Sequence, residues 1–302
     1  MLNATLLKIL PVQNQLGEGV LYDERLDAIW WTDIKQGRLY CYQLASERLQ
    51  QWQAPAAITA IGLTTDPTQL IVSFYKGVAL YQPHSGLWQQ LAQIEQHLPG
   101  NRLNDGRLDR QGRFWVGSMV ENAKANPPGS SAALYCYSKE AGLQPVFSGL
   151  TIANGLSFSP DSRWLYHADS PLGQIRRYGF DAATGEVSQG ELWQQTTDGS
   201  EPDGATVDAD GNLWSAHWGS GRVYCYQPDG STLGYLQLPV SQSSCVALGG
   251  KQHKLLFITS AWDGLSDTVR AQQPQAGNLF IYQVDAIALP EPQFMLPETS
   301  VQ

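Results

Sequence analysis

Short hydrophobic runs alternate with polar turns along the whole chain, and this pattern predicts strands rather than helices. The clearest example begins at Glu201, where a strand-forming run ends in the turn Asp208-Ala209-Asp210-Gly211 and a second run starts at Leu213-Trp214. A polar turn closed by glycine between two such runs is typical of a β-hairpin. The pattern therefore predicts an all-β fold.

The same unit returns at intervals of about 45 residues, a period typical of propeller blades and other repeats. In each copy an X-Gly dipeptide lies in a first strand, and a polar turn and an aromatic or aliphatic strand follow. The dipeptides are Glu18-Gly19, Ile61-Gly62, Asp105-Gly106, Asn154-Gly155 and Asp203-Gly204, with a degraded copy at Ser244-Cys245. A later strand carrying tyrosine repeats in phase with them. Six such units predict a six-bladed β-propeller with about four antiparallel strands per blade, and a β-sandwich with chance repetition is the alternative.

All 302 residues are expected to form one domain, because propellers of this size fold as one unit and no linker-like segment divides the chain. Residues 1 to about 15 are expected to supply an outer strand that closes the ring against the last blade. The proline-containing tail, residues 286–302, is expected on the surface. Residues 122–131 read as a long loop, and such loops often cover a site.

Composition and charge limit the partners. The net charge of −9 argues against nucleic acid, because phosphate binding needs clustered Lys and Arg. We find no membrane-spanning run and no signal peptide. Three of the four cysteines (41, 136 and 225, but not 245) occupy equivalent places in different blades, which predicts free thiols and a reducing compartment. We expect a cytoplasmic monomer or weak dimer that binds neither nucleic acid nor membranes.

The candidate chemistry lies on the propeller axis, where the first strand of each blade lines the channel. The X residues should converge there, and they are Glu18, Ile61, Asp105, Asn154, Asp203 and Cys245. Carboxylates gathered in one channel repel each other, and a bound cation would resolve this repulsion. Oxygen ligands favour Ca²⁺, Mg²⁺ or Mn²⁺. The alternative is that these acids only cap turns or accept backbone N–H groups.

Other catalytic patterns are weak. The sequence has no Gly-x-Ser-x-Gly nucleophile motif, and its histidines are scattered at positions 84, 97, 167, 217 and 253. Blade three carries the densest polar stretch, in which Arg102 and Asn104 are two residues apart and so share one side of a strand.

Several short motifs together resemble the gluconolactonase/regucalcin (senescence marker protein) family. The motifs are Leu16-Gly17-Glu18-Gly19, Asn104-Asp105-Gly106, Gly112–Met119, Asn154-Gly155 and Pro202-Asp203-Gly204. They extend the resemblance over essentially residues 12 to 285, in the right order. Val20 and Tyr22 depart from the family pattern, in which proline and tryptophan are common at these places, and both departures concern packing of blade one. The fold implied is a six-bladed propeller, in agreement with the repeats.

The resemblance also implies a chemistry. It implies one divalent cation held by Glu18, Asn154 and Asp203, with Zn²⁺ left open beside Ca²⁺, Mg²⁺ and Mn²⁺. It implies substrate contacts from Arg102, Asn104 and Glu121, and a general acid/base role for Asp203. Asp105 matches the Asn-Asp-Gly motif and is a further candidate. The implied reaction is hydrolysis of a sugar lactone, such as gluconolactone or arabinolactone, to the aldonic acid.

Two alternatives remain open from the sequence. A metal-dependent phosphotriesterase needs the same parts, namely a polarised oxygen and an activated water. A non-enzymatic calcium-binding or interaction propeller is the second, although scaffolding propellers rarely gather acids at the axis. Sensitivity of a lactone-hydrolysis rate to EDTA would separate these classes.

Overall fold

The strands form six antiparallel sheets whose innermost strands contact one another in sequence around a closed ring. This confirms the predicted six-bladed propeller. The computed structural model describes residues 1–126 and 130–296. The N-terminal strand is β1 (Ala4–Leu10), and it is discussed below with the last blade.

Blades one to three follow in chain order, each running outward from the axis. Blade one contains β2 (Gly17–Asp23), β3 (Ala28–Asp33), β4 (Arg38–Gln43) and β5 (Arg48–Gln53). Blade two contains β6 (Ile58–Thr64), β7 (Leu70–Phe74), β8 (Gly77–Tyr81) and β9 (Trp88–Gln93). Blade three contains β10 (Asn101–Leu108), β11 (Phe114–Val120), β12 (Ala132–Ser138) and β13 (Gly142–Leu150).

Blades four to six repeat the pattern. Blade four contains β14 (Ala153–Phe158), β15 (Trp164–Asp169), β16 (Gln174–Gly179) and β17 (Glu191–Gln195). Blade five contains β18 (Glu201–Val207), β19 (Leu213–Trp218), β20 (Arg222–Tyr226) and β21 (Thr232–Gln237). Blade six contains β22 (Ser243–Gly249), β23 (Leu255–Ser260) and β24 (Leu279–Val284). The described helical segments are two 3₁₀ turns, Ala123–Ala125 and Ser170–Leu172, and the helix α1 (Asp267–Gln272).

The N-terminal strand β1 closes the ring, as predicted. It pairs antiparallel with β24, from Ala4 opposite Val284 to Leu10 opposite Leu279, and so becomes the fourth strand of blade six. Pairing the first strand with the last blade joins the two ends of the ring and covers the edge of β24.

The core lies between the blades rather than inside any one of them. Trp31 and Tyr40 of blade one, for example, pack in one cluster with Phe257 and Ile281 of blade six. The four cysteines are free thiols, as predicted, and Cys41, Cys136 and Cys225 lie opposite Trp30, Trp115 and Trp214 of their own blades. Burial of large aromatic side chains between sheets therefore holds the ring together.

The C-terminal segment does not simply lie on the surface as expected. Beyond β24 it crosses the far end of the channel, and its last strand, β25 (Gln293–Phe294), pairs parallel with β6 of blade two. Phe294 is buried in the core, and Glu291 accepts a hydrogen bond from Arg107 at 3.2 Å. The apolar spacing that buries Ala286, Ala288 and Phe294 overrides the proline-rich composition. Residues 297–302 lie outside the described part of the chain.

Candidate active site

A β-bulge in each innermost strand aims side chains at the mouth of the channel. In blades one and four the pairing with the next strand slips by one residue directly after Glu18 and Asn154. A bulge of this kind bends a strand and turns a side chain away from the regular pleat. The residues that follow, Gly19 and Gly155, have φ angles of 59° and 61°, a left-handed conformation that favours glycine. This is the physical role of the glycine in the X-Gly dipeptides of blades one and four, whereas Gly62, Gly106 and Gly204 do not have a positive φ.

The register of the strands corrects the predicted position in three blades. Asn104, not Asp105, stands in blade three where Asp203 stands in blade five, because Gly106 and Ala205 occupy equivalent places opposite β11 and β19. The same comparison replaces Ile61 by Thr59 and Cys245 by Ser244. Ile61 packs in the core between blades one and two. The dipeptide pattern gave the wrong residue because, in these three blades, the X-Gly dipeptide lies one or two residues beyond the position equivalent to Asp203.

One end of the channel opens into a cavity of about 240 Å³. The structure brings together on its walls the side chains that the resemblance implied as ligands and substrate contacts. They are Glu18, Arg102, Asn104, Glu121, Asn154 and Asp203. Glu18, Asn154 and Asp203 come from β2, β14 and β18, so their proximity depends on closure of the ring.

Asp105 lies deeper in the channel and does not line this cavity. It borders a separate narrow space together with Val20, Ala205 and Cys245. Its two oxygens accept the backbone N–H groups of Gly106 and Leu156, at 2.8 and 2.9 Å. These bonds hold the inner strands of blades three and four together, so we assign Asp105 no contact with substrate.

Two acids of the cavity, the half-buried Glu18 and the buried Asp203, have no cationic partner at ion-pair distance. Burial, followed by the negative charge of Asp105, raises the pKa of Glu18 to about 8. Burial, followed by the charges of Glu18 and Asp105, raises the pKa of Asp203 well above its ordinary value. Among residues 1–126 and 130–296, no Lys, Arg or His forms an ion pair with either group. A bound divalent cation would offset this uncompensated charge.

The donor atoms fit a hard cation if the amide of Asn154 takes part. The described residues contain no group of three or more His, Cys, Asp or Glu side chains placed to hold a metal ion. Glu18 and Asp203 therefore need a further oxygen ligand, and Asn154 Oδ1 lies in the same cavity. That oxygen accepts a hydrogen bond from Asn104 Nδ2 at 2.8 Å, while Asn154 Nδ2 donates to Ser170 Oγ at 2.8 Å. These two bonds fix the amide, and one lone pair of Oδ1 is left for a cation.

A chain of hydrogen bonds joins the predicted substrate contacts. Arg102 is only 4% exposed, and it donates from Nη1 to Asn104 Oδ1 at 2.8 Å and from Nε to Glu121 Oε1 at 3.0 Å. Lys35 Nζ donates to the same Glu121 oxygen at 2.7 Å. Burial alone would raise the pKa of Glu121, but the hydrogen bonds and charges of Lys35 and Arg102 outweigh it and lower the pKa. Glu121 is therefore held as a carboxylate.

Sequence reasoning missed several other residues of the cavity wall. These are Lys35, Ser170, Glu201, Trp218 and Asp263, together with apolar side chains such as Met119 and Ile152. Glu201 precedes Asp203 by two residues, and the two-residue period of a strand could have identified it. Lys35 and Asp263 follow the second strands of their blades and carry no repeat signal.

The predicted covering loop is described only in part. Asn122 begins the 3₁₀ turn Ala123–Ala125 and accepts a hydrogen bond from Lys124 N, and Asn126 accepts one from Gly100 N at 2.8 Å. Its central residues, 127–129, lie outside the described residues. In the described ranges, no helix is both long and apolar enough to cross a membrane.

Comparison with known proteins gives a consistent result. The sequence profile of the SMP-30/Gluconolactonase/LRE-like region matches residues 16–262. The chain is 36% identical to L-arabinolactonase from Azospirillum brasilense over 93% of its own length and 91% of the relative's. It is 32% identical to 6-deoxy-6-sulfogluconolactonase from Pseudomonas putida, over 97% of this chain and 99% of that one.

Solved structures agree with these sequence matches. A calcium-binding protein, regucalcin, from Agrobacterium tumefaciens superimposes with a TM-score of 0.90 at 29% identity, over 96% of this chain and 98% of that one. The similarity therefore covers the whole ring, including the first strands that carry the cavity residues.

Proposed function

The chain belongs to the SMP-30/gluconolactonase/LRE-like family, and from that premise we propose that it opens a sugar lactone with the help of a divalent cation held by Glu18, Asn154 and Asp203. It is a lactone-hydrolysing carboxylic-ester hydrolase, as are its relatives named as lactonases. Hydrolysis adds water to the lactone carbonyl, breaks the bond to the ring oxygen and gives the aldonic acid. The metal dependence, the ligand set and the choice of ring are parts of the proposal.

One observation carries the proposal. Glu18 and Asp203 line a cavity and form no ion pair within the described residues, while Glu121, Arg102, Asn104 and Asn154 are joined to one another by hydrogen bonds. A divalent cation at these oxygens would supply Lewis-acid polarisation of the lactone carbonyl, which is worth several kcal/mol in the transition state. The regucalcin neighbour is itself described as a calcium-binding protein, which favours a hard cation.

Arg102 and Glu121 orient the sugar in this account. Glu121 lines the cavity, and its Oε1 accepts from both Arg102 and Lys35, which leaves its second oxygen with no protein donor among the described residues. It is available to accept hydrogen bonds from sugar hydroxyl groups. Arg102 Nη2 likewise has no acceptor in the described structure and can donate to a sugar oxygen. Fixing these groups before substrate arrives lowers the entropic cost of orienting the ring.

Asp203 is the proposed general acid/base. Its buried carboxylate accepts no side-chain hydrogen bond within the described residues, so one oxygen is free to take the proton of an attacking water and return it to the ring oxygen. Burial and the neighbouring acids raise the pKa of Asp203, which increases its basicity relative to an exposed aspartate. A bound cation lowers the basicity of Asp203. The proposed role therefore requires that one carboxylate oxygen of Asp203 bind the attacking water rather than the cation.

The direct test is a set of initial rates on neutral aldonolactones after the protein is stripped with EDTA and supplied with single metals. We expect hydrolysis above the spontaneous rate only with a divalent cation present. The panel contains arabinono-, xylono-, glucono- and galactonolactones and one phosphotriester. Turnover of the phosphotriester alone would replace the proposal by the phosphotriesterase, and metal binding without any turnover would replace it by a binding protein.

A further inference from the structure

The charges on the cavity wall are unequal once the proposed cation is counted. A divalent cation would neutralise Glu18 and Asp203 as a pair. The remaining ionic side chains on the wall are the acids Glu121, Glu201 and Asp263 and the bases Lys35 and Arg102. The wall therefore keeps an excess of one negative charge, whichever divalent cation binds.

Both bases are already engaged by one acid of the wall. Lys35 and Arg102 both bind the same oxygen of Glu121, at 2.7 and 3.0 Å, so their charges are already shared with a carboxylate. Arg102 also stacks over the ring of Tyr75, 5.5 Å from its centroid, and is almost fully buried. Moving either base to a ligand anion would leave the carboxylate of Glu121 with less compensation.

The two other acids have no cationic partner in the described ranges. Asp263 accepts a hydrogen bond from the neutral side chain of Gln15 at 2.8 Å, and Glu201 lies two residues before Asp203 on the same strand. The nearest arginine in the segment after Asp263 is Arg270, which stacks over Trp262 at 4.0 Å and does not line the cavity. Lys124 lies outside the wall as well.

We infer that this cavity selects neutral polyhydroxy lactones and rejects lactones that carry an anionic group away from the ring. The inference rests on the proposed function and narrows its substrate class. Hydroxyl groups of a neutral sugar can donate to the carboxylates of Glu121, Glu201 and Asp263. A carboxylate, sulfonate or phosphate substituent in their place would be repelled across a low-dielectric cavity, where like charges interact strongly. The chain would then differ in substrate from its relative named as a sulfogluconolactonase.

The test compares D-glucono-1,4-lactone with D-glucaro-1,4-lactone, which differ only in a hydroxymethyl group against a carboxylate at C6. Both are assayed with the metal-loaded protein, and their binding is also compared by competition or calorimetry. We expect kcat/KM for the neutral lactone to exceed that for the anionic lactone at least about tenfold. A difference of this size corresponds to the repulsion between the substrate anion and one negative charge of the wall that is partly screened by solvent. Raising the salt concentration should reduce the difference in kcat/KM between the two lactones, because salt screens the repulsion.

Charge-removing variants locate the effect. Glu201→Gln and Asp263→Asn should each raise the relative kcat/KM of the glucarolactone several-fold. The matched control is Glu140→Gln, an exposed acid in the turn between β12 and β13 that should leave the ratio unchanged. Thermal melting of each variant checks that it is folded.

The outcomes separate the two proposals. Equal rates on both lactones, or tighter binding of the glucarolactone, would overturn the charge selection and leave the lactonase assignment intact. Tighter binding of the neutral lactone without hydrolysis of either would overturn the lactonase assignment and support the charge selection. The charge selection would also be overturned if Glu140→Gln changed the ratio of kcat/KM for the two lactones as much as Glu201→Gln does. The effect would then come from the net charge of the protein alone.

Discussion

Two sets of acids near the inner strands of this propeller differ in what surrounds them. The turn acids, represented by Asp109 and Asp208, follow the innermost strands and are fully paired. Asp109 accepts from Trp115 Nε1 at 2.9 Å and from Arg113 Nε at 2.6 Å, and Asp208 accepts from Trp214 Nε1 at 3.0 Å. The channel acids, Glu18 and Asp203, lie on the innermost strands of blades one and five and meet no such side-chain partners among the described residues.

The difference separates folding from function within one repeat. Buried carboxylates cost free energy unless hydrogen bonds or opposite charges compensate them, and the turn acids are compensated by the blade that carries them. In their own blades the channel acids meet only backbone N–H groups, those of Gly19 and Gly204, and no opposite charge. The proposed role of the channel acids is to bind a ligand, and the predictions below challenge this contrast from the largest effect to the smallest.

Removing the metal should have the largest effect. We expect EDTA treatment to reduce lactone hydrolysis to the spontaneous rate, and one added divalent metal to restore it. The cation should also raise the melting temperature, since a ligand at about 100 times its Kd stabilises the folded state by about 2.7 kcal/mol. Rates and melting curves recorded on the same samples measure both. Full activity in thoroughly stripped protein would contradict the role of the channel acids.

Asp203→Asn should come next. It removes a proposed ligand and the proposed base, so we expect kcat/KM to fall by about 10² to 10⁴, the range typical of a lost general acid or base. The same change should stabilise the metal-free protein, because it relieves repulsion with Glu18 and Asp105. Denaturant unfolding without metal measures that gain. The matched control is Asp210→Asn, an exposed acid in the neighbouring turn, which should change neither quantity.

Asp109→Ala should give the opposite result. It leaves Trp115 Nε1 without its acceptor and Arg113 without its carboxylate, so we expect a loss of about 3 kcal/mol in the free energy of unfolding. The kcat of the folded fraction should stay within a few-fold of the parent. Urea unfolding with parallel kinetics checks both. An Asp109→Ala variant as stable as the parent but inactive would contradict the assignment of the turn acids to folding and the channel acids to catalysis.

The pH dependence of the metal-free protein should show a smaller effect. The pKa of Glu18 in the folded chain, about 8, lies above its ordinary value near 4.5, so the folded state binds more protons between these values. Stability of the metal-free protein should therefore be greatest near pH 5 and fall as pH rises toward 8. Glu18→Gln should flatten this slope, and saturating metal should remove it. A flat profile in the metal-free parent protein would show that Glu18 is not held in a raised-pKa environment.

Sequence reasoning predicted the ring because it depends on repetition, and it predicted six of the residues on the cavity wall. The repeated dipeptides identified Glu18, Asn154 and Asp203, and the closing strand followed from the need to pair β1. The resemblance added Arg102, Asn104 and Glu121, and strand periodicity placed Arg102 and Asn104 on one side of their strand. Bulges defeated the same reasoning at Asp105, since a one-residue slip reverses which side chain faces the cavity.

The remaining parts depend on contacts that no repeat encodes. Lys35 and Asp263 come from connections after second strands, and they reach the cavity only because the ring closes. The C-terminal segment crosses the far end of the channel through Glu291 and Phe294, although its composition is typical of a surface tail. Such placements follow from long-range packing and were therefore not predictable from local pattern.

A crystal structure of the protein with Mn²⁺, analysed by anomalous scattering, tests the central claim most directly. The account predicts one strong peak in the channel mouth, within bonding distance of oxygens from Glu18, Asn154 and Asp203, and its loss in Asp203→Asn. A fully occupied ion elsewhere, with Glu18 and Asp203 bonded only to protein groups, would contradict it.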